Sequence, residues 1–233
     1  MLVTSDLLRT FSLFETLGAE DLSYLAQKSQ IERFARRAVI LNAGSQEDRV
    51  CFLFEGRLQG VDFTIDGREV GLYFVDPGDY CGELSVFDFG AQPEYVIALN
   101  SAVVVFVPVE SLREVADRQP AIMAGLGNKL ARRIWQMTLQ RSLLALPNIT
   151  QRVCCQLWLL VTDEDKQSQQ SAEIKTPPTH TEIAIMLNVS RETVTRVFQQ
   201  LQKRQIVSRD GPSKLLINDL QTIKGVAEGN QQL

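Results

Sequence analysis

Residues 179–204 read THTEIAIMLNVSRETVTRVFQQLQKR, and two helices can be drawn through them with one sharp bend between. Thr179 stands before a short run in which Ile183, Ala184 and Leu187 share a helical face; a threonine there can accept a bond from an unpaired first-turn amide. Asn188, Val189 and Ser190 interrupt the run. Asparagine is among the few non-glycine residues at ease with positive φ, and Ser190 can cap a second helix. In that helix Val194, Val197, Phe198 and Leu201 face inward at helical spacing, which leaves Arg191, Glu192 and Arg196 outward. Small Ala184 sits where two crossing helices need close approach. Residues 205–217, QIVSRDGPSKLLI, then read as two short strands turning at Gly211. Helix, tight turn, helix and strand pair make a winged helix-turn-helix.

That arrangement has one well-defined chemical use. The second helix of a helix-turn-helix enters the DNA major groove by its N-terminal end. Arg191 and Arg196 can each donate twice to guanine O6 and N7, and Glu192 can accept from cytosine N4. Thr179, His180, Ser190, Thr193 and Thr195 are then placed for backbone phosphates, which position a protein without reading sequence. Glu192 and Arg196 are also four residues apart, so a solvated ion pair is the competing reading of the same residues.

The charge distribution supports an anion-binding surface confined to this region. The chain of 233 residues carries a net charge of −4, but residues 188–214 hold six basic groups against two acidic ones. At 45% hydrophobic and 22% charged it has ample material for a core. The N-terminus lacks a basic n-region followed by an unbroken apolar stretch, so no signal peptide is expected. The longest apolar runs are too short to span a bilayer. A cytoplasmic protein without membrane contact is the expectation. Cys51, Cys81, Cys154 and Cys155 form no C-x-x-C pair. Adjacent cysteines diverge on a helix, so buried free thiols are expected, and His180 is the only histidine. No metal site is expected.

Upstream, SDLLRTFSLF (5–14) and GAEDLSYLAQKS (18–29) read as short helices. Residues 33–109 read as strands: AVIL, VCFLFEG, LQGVDFTI, EVGLYFV, YVIAL and AVVVFVPV recur with glycine-bearing turns between them. A long helix follows, about Pro120 to Leu146. Met123, Leu130, Met137 and Leu144 are seven apart, with Gly127, Ile134 and Arg141 four after the first three. This is a heptad seam suited to a partner helix, so a homodimer is expected through Met123, Leu130, Ile134, Met137 and Leu144. Pro147 ends the helix, TQRVCCQLWLLVTDED forms another, and DEDKQSQQSAE (163–173) is a polar loop in which Asp163, Glu164 and Asp165 are a solvated charge run. The fold class is α+β, with three segments: 1–119 a sensing β-roll with N-terminal helices, 120–147 the dimerisation helix and hinge, and 148–233 the winged helix-turn-helix.

Over nearly its full length the chain resembles the CRP/FNR family. SRETVTR (190–196) is similar to that family's recognition helix, DGREVGLYFVDPGDYCGELSVFDFG (66–90) to its cyclic-nucleotide-binding β-roll and phosphate cassette, and KLARRIWQMT (129–138) to its dimer helix. The resemblance implies a homodimeric transcription regulator on double-stranded DNA. Arg191 and Arg196 would read guanines and Glu192 a cytosine in a TGTGA-like half-site. RNA polymerase is the implied protein partner, with another transcription factor as a further candidate. It also implies an effector site at Gly82, Glu83, Leu84 and Ser85. The family's arginine–serine clamp is absent: Pro93 and Glu94, or Gln92 and Pro93, stand there. Met137 and Thr138 replace a Thr-Ser pair that holds adenine. Losing a charge-assisted bidentate contact costs several kcal/mol, so cyclic AMP in its usual mode is not expected. No covalent cofactor is expected. Cyclic di-GMP is one candidate effector, and its two phosphates would need arginines; Arg33, Arg36 and Arg37 of ERFARRAV (32–39) are the richest source. The competing function class is a small-molecule receptor acting through protein contacts, for which SRETVTR would be dispensable. No catalytic constellation can be assembled, so an enzyme is not expected.

Overall fold

The computed structural model describes residues 2–88, 90–162, 165–166, 170–211 and 214–233. Of the acidic run, Asp163 and Glu164 fall outside these. The chain divides into two compact units, Met1–Gln136 and Met137–Leu233.

The first unit opens with α1 (Ser5–Arg9), capped by Thr4 accepting from the Leu7 amide at 3.2 Å, and α2 (Ala19–Lys28). Eight strands follow: β1 (Gln30–Phe34), β2 (Val39–Leu41), β3 (Arg49–Glu55), β4 (Leu58–Phe63), β5 (Glu69–Val75), β6 (Tyr80–Cys81), β7 (Tyr95–Ala98) and β8 (Ala102–Pro108). They form two antiparallel sheets, ordered β1-β8-β3-β6 and β2-β7-β4-β5. The six expected runs fall on β2, β3, β4, β5, β7 and β8. The other two strands escaped the reading for physical reasons. β1 has no fully buried residue, and β6 is two residues long. The amphipathic helix α4 (Val109–Arg118), after β8, was also unforeseen.

β3 and β8 explain why AVVVFVPV is continuously apolar rather than alternating. Val50, Phe52, Val105 and Val107 join a cluster with Phe11, Phe14, Leu22 and Leu112 of the helices. The alternate residues Cys51, Leu53, Val104 and Phe106 join a second cluster with Leu41, Leu58, Tyr73 and Val96 of the other sheet. A strand covered on both faces has no polar side to show. α3 (Leu84–Phe87) is a single turn between β6 and β7, and α5 (Pro120–Leu144) begins by burying Ile122 and Leu126 in the first cluster.

The second unit contains α6 (Ile149–Leu160), β9 (Ala172–Lys175), α7 (His180–Leu187), α8 (Arg191–Lys203), β10 (Val207–Asp210), β11 (Lys214–Ile217) and α9 (Leu220–Ala227). Asn148 caps α6, accepting from the Gln151 amide at 3.2 Å. The expected pair β10 and β11 forms, with Gly211 at φ 66° after β10. The wing has a third strand, which corrects the expected loop at 163–173. Ala172 and Ile174 of β9 turn inward opposite Ile217 and Leu215. Two inward residues are too weak a periodic signal to stand out in a polar stretch. Among the described residues, no helix is long and apolar enough to cross a membrane.

Candidate nucleic-acid interface and effector pocket

α7 and α8 meet as the sequence suggests. Thr179 accepts from the Glu182 amide at 3.2 Å, and Glu182 accepts from the Thr179 amide at 2.8 Å, a complete capping box. Asn188 ends α7 in the left-handed region at φ 50° and ψ 51°. Ser190 caps α8 by accepting from the Thr193 amide at 3.2 Å. Val194, Val197, Phe198 and Leu201 are buried in the core of this unit.

The opposite face of α8 is exposed. Arg191, Glu192, Thr195, Arg196 and Gln199 line one shallow depression of about 350 Å³. Gln199 was not among the expected residues, although its spacing from Arg196 places it on the same stripe. Among the described residues neither arginine makes an ion pair, so the solvated Glu192–Arg196 bridge is not formed. The Glu192 carboxyl is held below its usual range by its own backbone amide at the helix start and by Ser190. It stays ionised and able to accept.

The expected phosphate contacts are largely engaged within the fold. Thr179 and Ser190 serve as caps, and the Ser190 and Thr193 hydroxyls lie 3.0 Å apart. His180 is engaged in the same way. Its Nδ1 lies 3.0 Å from the Thr195 hydroxyl, its ring rests on Phe198 at 4.5 Å, and its Nε2 is buried without a partner. Burial, then Arg209 and Arg191, push its pKa down. The half-buried imidazole packs at the α7–α8 crossing.

In the first unit, the cassette turns at Gly82 (φ 79°) into Glu83, Leu84 and Ser85, with Glu83 wholly buried. Arg113 of α4 braces the turn from behind, donating to the Ser85 carbonyl at 2.6 Å and the Val86 carbonyl at 2.7 Å. The position expected to lack a cation is filled from elsewhere. Arg133 of α5, only 8% exposed, brings Nη1 to 3.1 Å from Glu83 Oε1 and 3.9 Å from Glu94 Oε1. Its guanidinium lies 3.9 Å over the Tyr73 ring. The Tyr73 hydroxyl donates to Glu94, and Gln92 Nε2 donates to the same Glu94 oxygen at 3.1 Å. Burial pushes the Glu83 carboxyl up, and Arg133 pulls it partly back. Fifty residues of sequence separate Glu83 from Arg133, so no local motif announces the pair.

Arg33, Arg36 and Arg37 are surface residues and are not brought to this pocket. Arg37 instead forks onto Glu69 at 3.0 and 3.4 Å. A neighbouring cleft of about 460 Å³ is lined by Tyr73, Phe74, Asp79, Lys129, Arg132 and Arg133 among others, and by none of the three. Along α5, Met123 (37%), Ile134 (65%) and Met137 (51%) are exposed, while Leu130 and Leu144 are half-buried. Trp135 and Leu139 are exposed too, off the expected seam. Among the described residues no cluster of His, Cys, Asp or Glu could hold a metal ion.

Two family models match this chain: a cyclic nucleotide-binding domain over residues 31–119 and a Crp-like helix-turn-helix domain over residues 151–225. The chain is 27% identical over 212 residues to the CRP-like cAMP-activated global transcriptional regulator of Mycobacterium tuberculosis, covering 91% of this chain and 94% of that protein. Its fold is similar to FixK2 from Bradyrhizobium japonicum, with a TM-score of 0.72 at 18% identity over 85% of this chain and 96% of that one. It is also similar in fold to the c-di-GMP responsive global regulator CLP of Xanthomonas campestris, with a TM-score of 0.66 at 20% identity over 85% and 99% of the two chains.

Proposed function

We infer the function from the family: this chain belongs to the CRP/FNR transcription regulators, DNA-binding proteins rather than enzymes. It acts as a homodimer that reads a palindromic site through α8, under control other than cyclic AMP in its usual mode. One observation carries the DNA reading. Arg191, Glu192 and Arg196 stand together at the exposed start of a capped helix, unpaired with one another. Burying such charges against DNA costs less than stripping them from partners within the protein. The dimer is supported by the exposed Met123, Ile134 and Met137 of α5. RNA polymerase as partner and the cytoplasm as location rest on family membership, with no surface of this chain singled out for them.

Charge disfavours cyclic AMP in the cassette. A cyclic phosphate in the cassette would meet buried Glu83 and Glu94, and the adjacent guanidinium is already committed to them. Cyclic di-GMP through Arg33, Arg36 and Arg37 gains no support, because those side chains do not line the pocket or its cleft. Selected-site binding tests the DNA reading. Wild type should enrich a palindrome. Arg191→Ala should lose about 1–3 kcal/mol at that site and relax one position of the preference. An unchanged preferred sequence would remove Arg191 from base readout, and no enrichment at all would favour a receptor working through protein contacts.

A further inference from the structure

We propose that the cassette is a guanidinium-binding pocket and that Arg133 of the chain itself is its resident occupant. The inference rests on the reading that no cyclic phosphate sits here and is independent of the DNA reading.

The lining is specific for a planar cation. Tyr73 offers its π face to the guanidinium at 3.9 Å, and Glu83 and Glu94 offer carboxylates at its edge, 3.1 and 3.9 Å away. Stacking and edge-on pairing together are what a guanidinium satisfies and a compact ammonium does not. The lining is itself held in place. Glu94 receives bonds from both Tyr73 and Gln92 on one oxygen. Tyr73 lies where it does because Gly60, its cross-strand partner, has no side chain: a β-carbon there would stand 2.5 Å from the ring. The other nearby cation, Lys129, is paired with Asp79 and acts on Glu83 less strongly than Arg133 does.

The site also retains unused acceptors. Glu83 is wholly buried, yet neither carboxylate oxygen has an aligned hydrogen bond, and Gln92 Oε1 has none either. The Arg133 contact with Glu83 is therefore ionic rather than a fork. The pocket sets two carboxyl groups around one guanidinium and keeps spare acceptor capacity. Both favour a cation and exclude an anion. Arg133 thus does from within what a diffusible ligand does in a vacant site: it anchors α5 to the roll.

The test vacates the pocket and refills it. Arg133→Ala should lower the thermal midpoint, and millimolar agmatine should restore it saturably, whereas sodium chloride at equal ionic strength should not. Adding Glu83→Gln and Glu94→Gln to Arg133→Ala should abolish that rescue. Should Arg133→Ala fail to fold, Arg133→Ser takes its place: the short side chain also vacates the pocket, and the same agmatine-specific gain is expected. The neutral combination Arg133→Met, Glu83→Gln, Glu94→Gln should be more stable than Arg133→Met alone. Agmatine acting no better than salt, or acting equally on the Gln variants, would overturn the proposal. A separate calorimetric titration of wild type with cyclic AMP addresses the underlying reading: tight binding there would overturn both, while its absence with failed agmatine rescue would overturn only the guanidinium site.

Discussion

Replacing Gly60 by alanine should disturb the cassette pocket from behind. The new β-carbon would stand 2.5 Å from Cε1 and Cζ of Tyr73 and 2.9 Å from Cε2. Ordinary carbon contacts lie near 3.5–4.0 Å, so the ring must retreat by about 1 Å. It has little freedom to do so, being stacked against Arg133 and tied by its hydroxyl to Glu94. Overpacking of this kind costs about 1–3 kcal/mol. Weakening a buried hydrogen bond to a charged group adds about 1 kcal/mol or more. The lost flexibility of glycine in the unfolded chain returns about 0.4–1 kcal/mol. The net expectation is roughly 1–4 kcal/mol, or a fall of about 3–15 °C in the midpoint for a unit of this size. Differential scanning calorimetry reads it, and a double-mutant cycle locates it. In a Tyr73→Leu background, which removes the clashing ring atoms, Gly60→Ala should cost less than about 1 kcal/mol. The reasoning is refuted if the cost is equal in both backgrounds, or if Gly60→Ala alone leaves the midpoint unmoved.

Three further outcomes are expected. Thr179→Ala should cost about 0.5–2 kcal/mol in urea unfolding by breaking the capping box, and Thr179→Asp should recover most of it. His180 has a folded pKa below its unfolded value near 6.5, so its contribution is complete above that pH and is lost as the pH falls toward the folded value. Thermal melts should therefore show wild type losing more stability than His180→Gln between pH 7.5 and 5.5; parallel curves would contradict this. Met137→Lys should put like charges across the seam and cost several kcal/mol of dimer stability. Analytical ultracentrifugation should find the variant shifted to monomer, and a monomeric wild type at micromolar concentration would exclude the seam.

The helix-turn-helix was readable because every signal for it is local. Thr179, Asn188 and Ser190 mark helix ends through bonds spanning a few residues, and Val194, Val197, Phe198 and Leu201 repeat at the helical period. Six strands were readable for the same reason, from apolar runs between glycine turns. β1, β6 and β9 were not: an edge strand, a two-residue strand and a strand with two inward residues carry almost no periodic signal of their own. They are strands because neighbours supply their hydrogen bonds. The cassette pocket shows the limit most plainly. The sequence alone determined that the cassette lacks its local cation and has Glu94 nearby. Only the tertiary structure decided that Arg133, fifty residues from Glu83, would supply a guanidinium, and that Arg33, Arg36 and Arg37 would not. Coulomb attraction acts through space, and a buried carboxylate draws its partner from whichever element packs over it; here that element is α5.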